Sequence, residues 1–313
     1  SKNNFKKIII TGACGHIGSF VAENIHKIKK VKNTLLIDNL KSNSVGSIIN
    51  LKKKNNLQFY IRDLNNIKAL NGFKNVDCLI HCASMTNAEK SFGKEKEMYK
   101  NNLNCLKTVI KYCKKNDVKL IHLSSTSVYG KQAEIVDENC EKKYLKPQSP
   151  YAKIKLIEEN MLKKSGKNLK YVTFRLGTIA GVSKGIRFHT AVNKFCFNAA
   201  LNQKIEVYKT ALHQYRPYLS VRDAFKLFKF CIEKNFFKRD IFNAVSGNFT
   251  VNQIISKIKK KKKYIKIKLV SSEIMNQLSY HVDDKKIKDY GLRLNADLQK
   301  DVDDTLKLFS YLK

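Results

Sequence analysis

Acidic side chains are scarce in this 313-residue chain: 26 Asp and Glu stand against 61 Lys and Arg, a formal charge of +35. A surplus of that size usually points to nucleic acid or an anionic membrane. Here, however, the positive residues are overwhelmingly Lys, spread over the whole length among abundant Asn and Ile. An AT-rich genome writes that mixture from its codons whatever the function. Arg, the better fork for phosphate and base edges, is scarce. The densest cluster, Lys257-Ile-Lys-Lys-Lys-Lys-Lys-Tyr-Ile-Lys-Ile-Lys268, ends in an alternating strand with Lys outward, a solvated face. The expectation is a compositional charge with a general attraction for anionic substrates, and no nucleic-acid partner.

Other absences narrow the class. No apolar run is long enough to cross a bilayer, so no membrane association is expected. Ser1-Lys-Asn-Asn-Phe5 leads straight into the first strand, so no signal peptide is expected. The eight cysteines lack metal or redox spacing, Cys78 and Cys82 being separated by three residues on one strand. Several fall inside expected strands and helices, as reduced core thiols do. A cytoplasmic, reduced protein without a metal is expected. Internal repeats are missing, and only three prolines occur, Pro147, Pro150 and Pro217. A hydrophobic content of 43% suffices for a core, and the length suits one large α/β unit with a smaller lobe.

What is present begins at Lys7-Ile-Ile-Ile-Thr-Gly-Ala-Cys-Gly-His-Ile-Gly18, a short apolar strand running into Gly12, Gly15 and Gly18. A tight glycine turn opening a helix aims backbone N–H groups and a helix N-terminus at a pyrophosphate. The spacing is G-x-x-G-x-x-G. A second strand, Asn33-Thr-Leu-Leu-Ile37, ends at Asp38, twenty residues beyond Gly18. A carboxylate there accepts both ribose hydroxyls of NAD and repels the extra phosphate of NADP, so bound NAD is the expected cofactor.

Further strands are expected at 8–11, 34–37, 58–62, 78–81, 120–124 and 171–175, short and almost continuously apolar as in a parallel sheet buried on both faces. Amphipathic helices fall at 17–29, 94–115 and 151–164. The alternation means a Rossmann-type doubly wound α/β sheet. Residues 1–175 form the expected NAD-binding domain. Residues 176–313 form mainly a substrate-binding lobe closing over the strand ends, with segments near 205–250 returning to the main domain. Within it, 188–201 and 221–234 read as helices and 241–245 as a strand able to rejoin the sheet. The helices at 94–115 and 151–164 are long enough to pair with their copies in a homodimer.

Strand Leu120-Ile-His-Leu123 runs into Ser124-Ser-Thr-Ser-Val-Tyr-Gly130, and Ser149-Pro-Tyr-Ala-Lys-Ile-Lys155 opens a helix behind a proline. Tyr151 and Lys155 are four apart and share a face. A phenol titrating near 10 is a poor base at neutral pH, but a neighbouring ammonium and a positive nicotinamide both favour the phenolate. A hydroxyl at the preceding strand end then holds a substrate oxygen while Tyr151 takes its proton. Y-x-x-x-K alone carries little weight in a lysine-rich chain. The order of glycine loop, acid, hydroxyl run, tyrosine and lysine carries much more.

In that order the chain resembles the extended short-chain dehydrogenase/reductase family, specifically its nucleotide-sugar epimerases, dehydratases and dehydrogenases, over nearly the full length. The loop Gly12, Cys14, Gly15, His16, Ile17 and Gly18 resembles the family's cofactor loop, and Asp38-Asn39 its ribose turn. The resemblance places Asp63-Leu64 at the adenine, Cys82-Ala83-Ser84 at the strand end beside the cofactor, and Asn102 on the following helix. It implies Ser125 as the catalytic hydroxyl, aided by Thr126, with Tyr151 the base and Lys155 the ribose-binding lysine. Arg175-Leu-Gly-Thr-Ile-Ala-Gly181 is similar to the family's R-x-x-N-V-Y-G, Thr178 replacing the Asn and Ala180 the Tyr. Arg187, His189 and Asn193 lie in the segment that reaches the nucleotide-sugar. Arg216, in an R-x-x-x-x-V-x-D pattern, is placed on the substrate diphosphate, a sound use of a donor fork. Asp223 in that pattern reads as a helix N-cap.

Departures narrow the implied reaction. The family's 4,6-dehydratases follow the catalytic hydroxyl with Asp-Glu; Thr126 and Ser127 stand there instead, arguing against dehydration. Cys140, His189 and His213 form no recognisable carbon-epimerising motif. The implied activity is NAD-dependent hydride abstraction at C4 of a UDP- or GDP-linked hexose or heptose. The chain is then a 4-dehydrogenase or 4-epimerase in capsule or other surface-polysaccharide biosynthesis, possibilities including a GDP-manno-heptose enzyme. The alternatives are a non-catalytic RNA-binding or redox-sensing protein of this fold, a 3,5-epimerase/reductase, or a 4,6-dehydratase.

Overall fold

The run Ile8-Ile-Ile10 is buried on both sides: Ile8 and Ile10 enter one hydrophobic cluster and Ile9 the other. That is the signature of a strand with helices on each face. The computed structural model describes residues 5–42, 44–51, 56–87, 93–130, 135–271 and 280–312. The first half holds β1 (Lys7–Thr11), α1 (His16–Asn24), β2 (Asn33–Asp38), β3 (Leu57–Ile61), β4 (Cys78–His81), α2 (Glu95–Asn116), β5 (Lys119–Ser125), β6 (Ile135–Val136) and α3 (Pro150–Lys163). The second holds β7 (Tyr171–Leu176), β8 (Thr178–Ala180), α4 (Ala191–Ala200), β9 (Lys204–Tyr208), β10 (Tyr215–Ser220), α5 (Val221–Lys234), β11 (Ile241–Ala244), β12 (Gly247–Thr250), α6 (Val251–Lys259), β13 (Lys266–Val270), β14 (His281–Val282), α7 (Lys285–Asp289) and α8 (Leu298–Lys307).

Seven strands form one parallel sheet in the order β11-β7-β5-β4-β1-β2-β3. The fold is thus the doubly wound α/β architecture that the strand–helix alternation implies. α1 and α5 pack together on one face, and α2 with α3 on the other. β11 comes from far along the chain to pair with β7 at the sheet edge. A separate hydrophobic cluster gathers Val192 and Cys196 of α4, Ile205 and Val207 of β9, Ile254 of α6 and Val302 of α8. Residues of this cluster and of the small sheet β12-β10-β8 line one cleft together with the ends of β4 and β5.

Several elements differ from the sequence expectation. α1 gives way after Asn24 to a tighter turn over Ile25–Lys27, where Asn24 spends its side-chain amide on the Phe20 carbonyl. α4 starts at Ala191 because the Thr190 hydroxyl is bonded to the Ile179 carbonyl, holding 188–190 against β8. The lysine-rich strand β13 does not alternate in and out. Ile267 and Leu269 are exposed along with its lysines, since β13 pairs only with β9. Asp223 does not cap α5; Ser220 does, and the Asp223 carboxylate accepts from Ser246 and the Ala296 N–H. No described helix is long and apolar enough to cross a membrane.

Ile121, fully buried on central β5, tests this core. Ile121→Ala should lower the unfolding free energy by about 2–5 kcal/mol, read as an earlier urea midpoint at unchanged slope.

Candidate active site

Where β1 meets α1, backbone touches backbone. Gly12 adopts φ +64°, and a Cβ there would lie 2.6 Å from the Ala83 nitrogen and the Cys82 carbonyl carbon. A Cβ at Gly18 would lie 2.2 Å from the Gly12 carbonyl oxygen. Gly15 is the N-cap of α1, and no side chain caps that helix, so first-turn N–H groups remain for an anion. Gly12, Gly15, His16, Ile17 and Gly18 all face one cleft of about 730 Å³, a volume normal for a small-molecule site.

At the end of β2, Asp38 Oδ2 accepts from the Cys14 N–H (3.0 Å) and Oδ1 from the Leu40 N–H (2.8 Å). Leu40 is left-handed, φ +59°, unusual for leucine, and this bends the chain around the carboxylate. Each oxygen keeps lone-pair capacity for a ribose hydroxyl. Cys14 is fully buried; desolvation, then the nearby Asp38, pushes its thiol up to about 12, so its part is structural. The Asn39 side chain accepts from the Lys41 N–H. Burial pushes the Asp63 carboxyl up, but Lys41 at 2.6 Å and Asn65 outweigh it and hold it at about 2. Leu64 is buried in the core, and its carbonyl accepts from Thr108.

Cys82, Ala83 and Ser84 follow β4 into the same cleft. Asn102 does not reach it. Fully buried on α2, Asn102 accepts from the Met85 N–H (2.8 Å) and donates to the Met85 carbonyl (3.1 Å). It fixes the strand end, and it is not among the residues that line the cleft.

On the far side of the sheet centre, Ser149 caps α3 by accepting from the Ala152 N–H, and Pro150 occupies the first turn. This sets Tyr151 and Lys155 in the cleft wall, with Ser125 at the tip of β5. Ser125 accepts from the Ser127 N–H, and the two hydroxyls are 2.7 Å apart. Thr126, expected to aid Ser125, lines the cleft and donates its hydroxyl proton to the Leu176 carbonyl; the hydroxyl beside Ser125 is that of Ser127. The Lys155 ammonium donates to the Leu123 carbonyl (3.0 Å) and meets the Glu158 carboxylate at 2.7 Å. Burial raises the Tyr151 phenol above its usual range; Lys155 opposes this and Glu158 adds to it. Lysine therefore offsets the cost of burial and does not by itself make the tyrosine acidic.

Toward the second lobe the cleft is lined by Thr178, Arg187, His189 and Arg216. Arg216 donates to the Tyr215 carbonyl and to Gln214, and no carboxylate pairs with it among the described residues. Arg187 donates to Ser42 at 3.3 Å. Asn193, expected as a substrate contact, is fully buried. It accepts from the Gly181 N–H and donates to the Arg187 carbonyl, bracing the segment that carries Arg187. Its neighbour Lys194 faces the cleft instead.

Residues 8–244 match the NAD dependent epimerase/dehydratase family. The chain belongs to that family. A trifunctional UDP-glucose 4,6-dehydratase/UDP-4-keto-6-deoxy-D-glucose 3,5-epimerase/UDP-4-keto-L-rhamnose-reductase of Arabidopsis thaliana is 26% identical over 298 residues, 91% of this chain but 44% of that protein. The chain thus spans less than half the length of that relative. An ADP-L-glycero-D-manno-heptose-6-epimerase of Brachyspira hyodysenteriae is 26% identical over 255 residues, 77% of this chain and 76% of that one. The structure of a UDP-N-acetylglucosamine 4-epimerase from Methanobrevibacter ruminantium M1 in complex with UDP-N-acetylmuramic acid superposes with TM-score 0.83 at 24% identity. It covers 98% of this chain and 99% of that one, a likeness of fold.

The family's NAD fits the residues present. The side-chain-free cradle, the uncapped helix end and the half-used Asp38 carboxylate match a pyrophosphate flanked by a ribose. Sequence reasoning missed Ser127, Tyr208, Tyr218 and Tyr280, which also line the cleft. Only Ser127 left a signal, as part of the hydroxyl run after β5.

Gly18→Ala should weaken NAD binding by at least about tenfold, or about 1.4 kcal/mol, in a fluorescence titration. Ala at the exposed Gly46, whose added Cβ meets nothing within 4 Å, serves as the neutral control.

Proposed function

We propose that this family member oxidises C4 of a nucleotide-linked hexose or heptose, as a 4-epimerase or a 4-dehydrogenase. The observation that carries the reading is one cleft holding Tyr151, Lys155 and Ser125 between the glycine loop and Arg216. NAD, when bound, accepts the hydride that leaves the carbinol carbon. Ser125, with Ser127 behind it, orients the sugar oxygen. Tyr151 takes the hydroxyl proton as the carbonyl forms and gives it back on reduction. Lys155 supports the phenolate and binds a cofactor ribose. Arg216 and Arg187 are unpaired with any carboxylate among the described residues, which suits a diphosphate between the nucleoside and the sugar.

Dehydration and 3,5-epimerisation are less well supported. Elimination of water needs an acid and base beside the sugar. Among the described lining residues the only carboxylate is Glu206 of β9, which pairs with Lys268 at 3.0 Å. Cys140 and His213 are absent from that lining, so the cleft does not bring them together with His189 as a second epimerising centre would require. The likeness to an ADP-heptose epimerase supports keeping heptoses beside hexoses, and a UDP- or GDP-sugar of surface-polysaccharide assembly is the substrate class proposed.

The test is incubation with a panel of UDP-, GDP-, TDP- and ADP-linked sugars, following reduced nicotinamide and sugar products together. An altered sugar without net NADH identifies an epimerase; lasting NADH with a keto-sugar identifies a dehydrogenase. No reaction at C4 with any of them overturns the proposal. Tyr151→Phe should keep NAD bound and lose roughly 10²–10⁴-fold in kcat; full activity in that variant refutes the mechanism.

A further inference from the structure

Below the cleft floor lies a set of buried polar groups that the reaction above does not use. Glu158 is 1% exposed, His122 of β5 is 0% and His81 of β4 is 5%. His81 and His122 are register partners on adjacent strands. The His122 Nε2 atom is 3.8 Å from the Glu158 oxygen that meets Lys155. Thr11 accepts from the Ala83 N–H, and its hydroxyl lies 2.8 Å from His81 Nδ1. Among the described residues, His81 Nε2, His122 Nε2 and Glu158 Oε2 are all buried without a hydrogen bond of good geometry. No set of His, Cys, Asp and Glu among them is arranged to hold a metal ion.

Such an arrangement is not explained by stability. A buried ion pair is commonly no better than apolar side chains of the same volume. What it does is fix a charge in one place. A buried lysine without a counter-charge tends to lose its proton, and a flexible four-carbon stem lets the ammonium wander. Lys155 has three N–H donors. One is held by the Leu123 carbonyl and one is drawn to Glu158, which leaves one for the cleft.

We propose that Glu158, braced by His122, is a positioning residue that pins the Lys155 ammonium and thereby governs the pH at which Tyr151 works as a base. This rests on the assignment of Tyr151 and Lys155 given above. The charged and titratable groups facing the pair are Tyr151 and Glu159 on α3, His122 on β5, His81 and Cys82 at the end of β4, and Cys105 on α2. Burial pushes His81 down to about 3, so it is neutral at physiological pH. Burial would push the Glu158 carboxyl up, but Lys155 and His122 outweigh it and hold it at about 2. Burial would also push the Lys155 ammonium down, and Glu158 is the largest influence raising it again. At the phenol the signs reverse: Lys155 lowers the value and Glu158 raises it. Glu158 therefore keeps the lysine charged at high pH while restraining the acidification of Tyr151.

Removing only the charge moves both limits the same way. In Glu158→Gln the phenol ionises more easily and the ammonium is lost more easily. Both limbs of the kcat/KM pH profile should move down by at least about one unit, with Glu158→Asp returning them toward the wild type. A Glu158→Gln profile that keeps wild-type limbs and loses only amplitude overturns the proposal. A measurement on the unmodified protein stands beside it. In 13C-lysine NMR, the Lys155 signal, assigned by its loss in Lys155→Met, should keep its proton beyond pH 10.5, and titration below that value overturns the proposal. If Tyr151→Phe is fully active, the catalytic assignment itself has failed. If Tyr151→Phe is inactive and the limbs of Glu158→Gln stay put, only the role of Glu158 has.

Discussion

The structure depends on a steric constraint at the glycine loop, where three stretches of backbone approach too closely for any side chain. Gly12 lies against the chain leaving β4, Gly18 against Gly12, and Gly185 against the loop from the opposite side, where a Cβ would come within 2.4 Å of the Gly15 carbonyl oxygen. Polar contacts lock the same junction. His16 Nε2 is 2.7 Å from the Gly181 carbonyl oxygen, and Ser19 accepts from the Gly185 N–H while donating to Ser183. Burial pushes His16 down to about 4, so the ring is neutral and donates to that carbonyl across the neutral range. The loop proposed to cradle a pyrophosphate is therefore also the point where the second half of the chain is tied to the first. Arg187, two residues past Gly185, is carried into the cleft by that attachment.

What was legible in the sequence follows from how local each cause is. The strands of the parallel sheet announce themselves because burial on both faces forces continuous apolar runs such as Ile8-Ile-Ile10. The glycine loop, Asp38 and the start of α3 are equally local: a turn, a strand end, a serine cap with a proline behind it. The second lobe was harder. β8, β9, β10 and β12 are short, and their pairing joins residues far apart, as in Tyr218 with Thr178 and with Gly247. No periodicity in a single stretch reports such partners.

The two candidate site residues that turn away from the cleft share one physical explanation. Asn102 and Asn193 both stand at sequence positions close to ligand-contacting segments, yet each turns its amide onto backbone, of Met85 in one case and of Gly181 and Arg187 in the other. A buried amide must satisfy both its donor and its acceptor, and irregular chain near a cleft offers unpaired backbone groups in plenty. Sequence spacing locates such a residue to within a few ångströms of a site. Which way it faces is decided by neighbours that spacing does not describe. Thr126 and Ser127 show the same ambiguity in one step of chain, the first turned to the Leu176 carbonyl and the second to Ser125.

The distribution of charge inside the molecule says more than the surplus outside it. Two adjacent carboxylates on α3 divide the buried cations between them. Glu158 takes Lys155, and Glu159 takes Arg175 through two hydrogen bonds of 2.9 and 2.8 Å while also accepting from Ser124. One residue apart on a helix, they point in directions about 100° apart, since a helix turns once in 3.6 residues, so one serves the cleft wall and the other the strand β7 beneath it. Each deeply buried cation thus has its own anion, as the cost of burying an unpaired charge requires. Arg216 breaks the pattern. It is held by a backbone carbonyl and Gln214, faces the cleft, and has no carboxylate among the described residues. In a chain that neutralises Lys155 and Arg175 so closely, a guanidinium left with neutral partners suits the proposed role of receiving a diphosphate from solution. The overall charge of +35 favours anions in the neighbourhood, but on the proposed reading it is the Arg216 and Arg187 forks in the cleft, neither matched by a carboxylate among the described residues, that give one of them a place to bind.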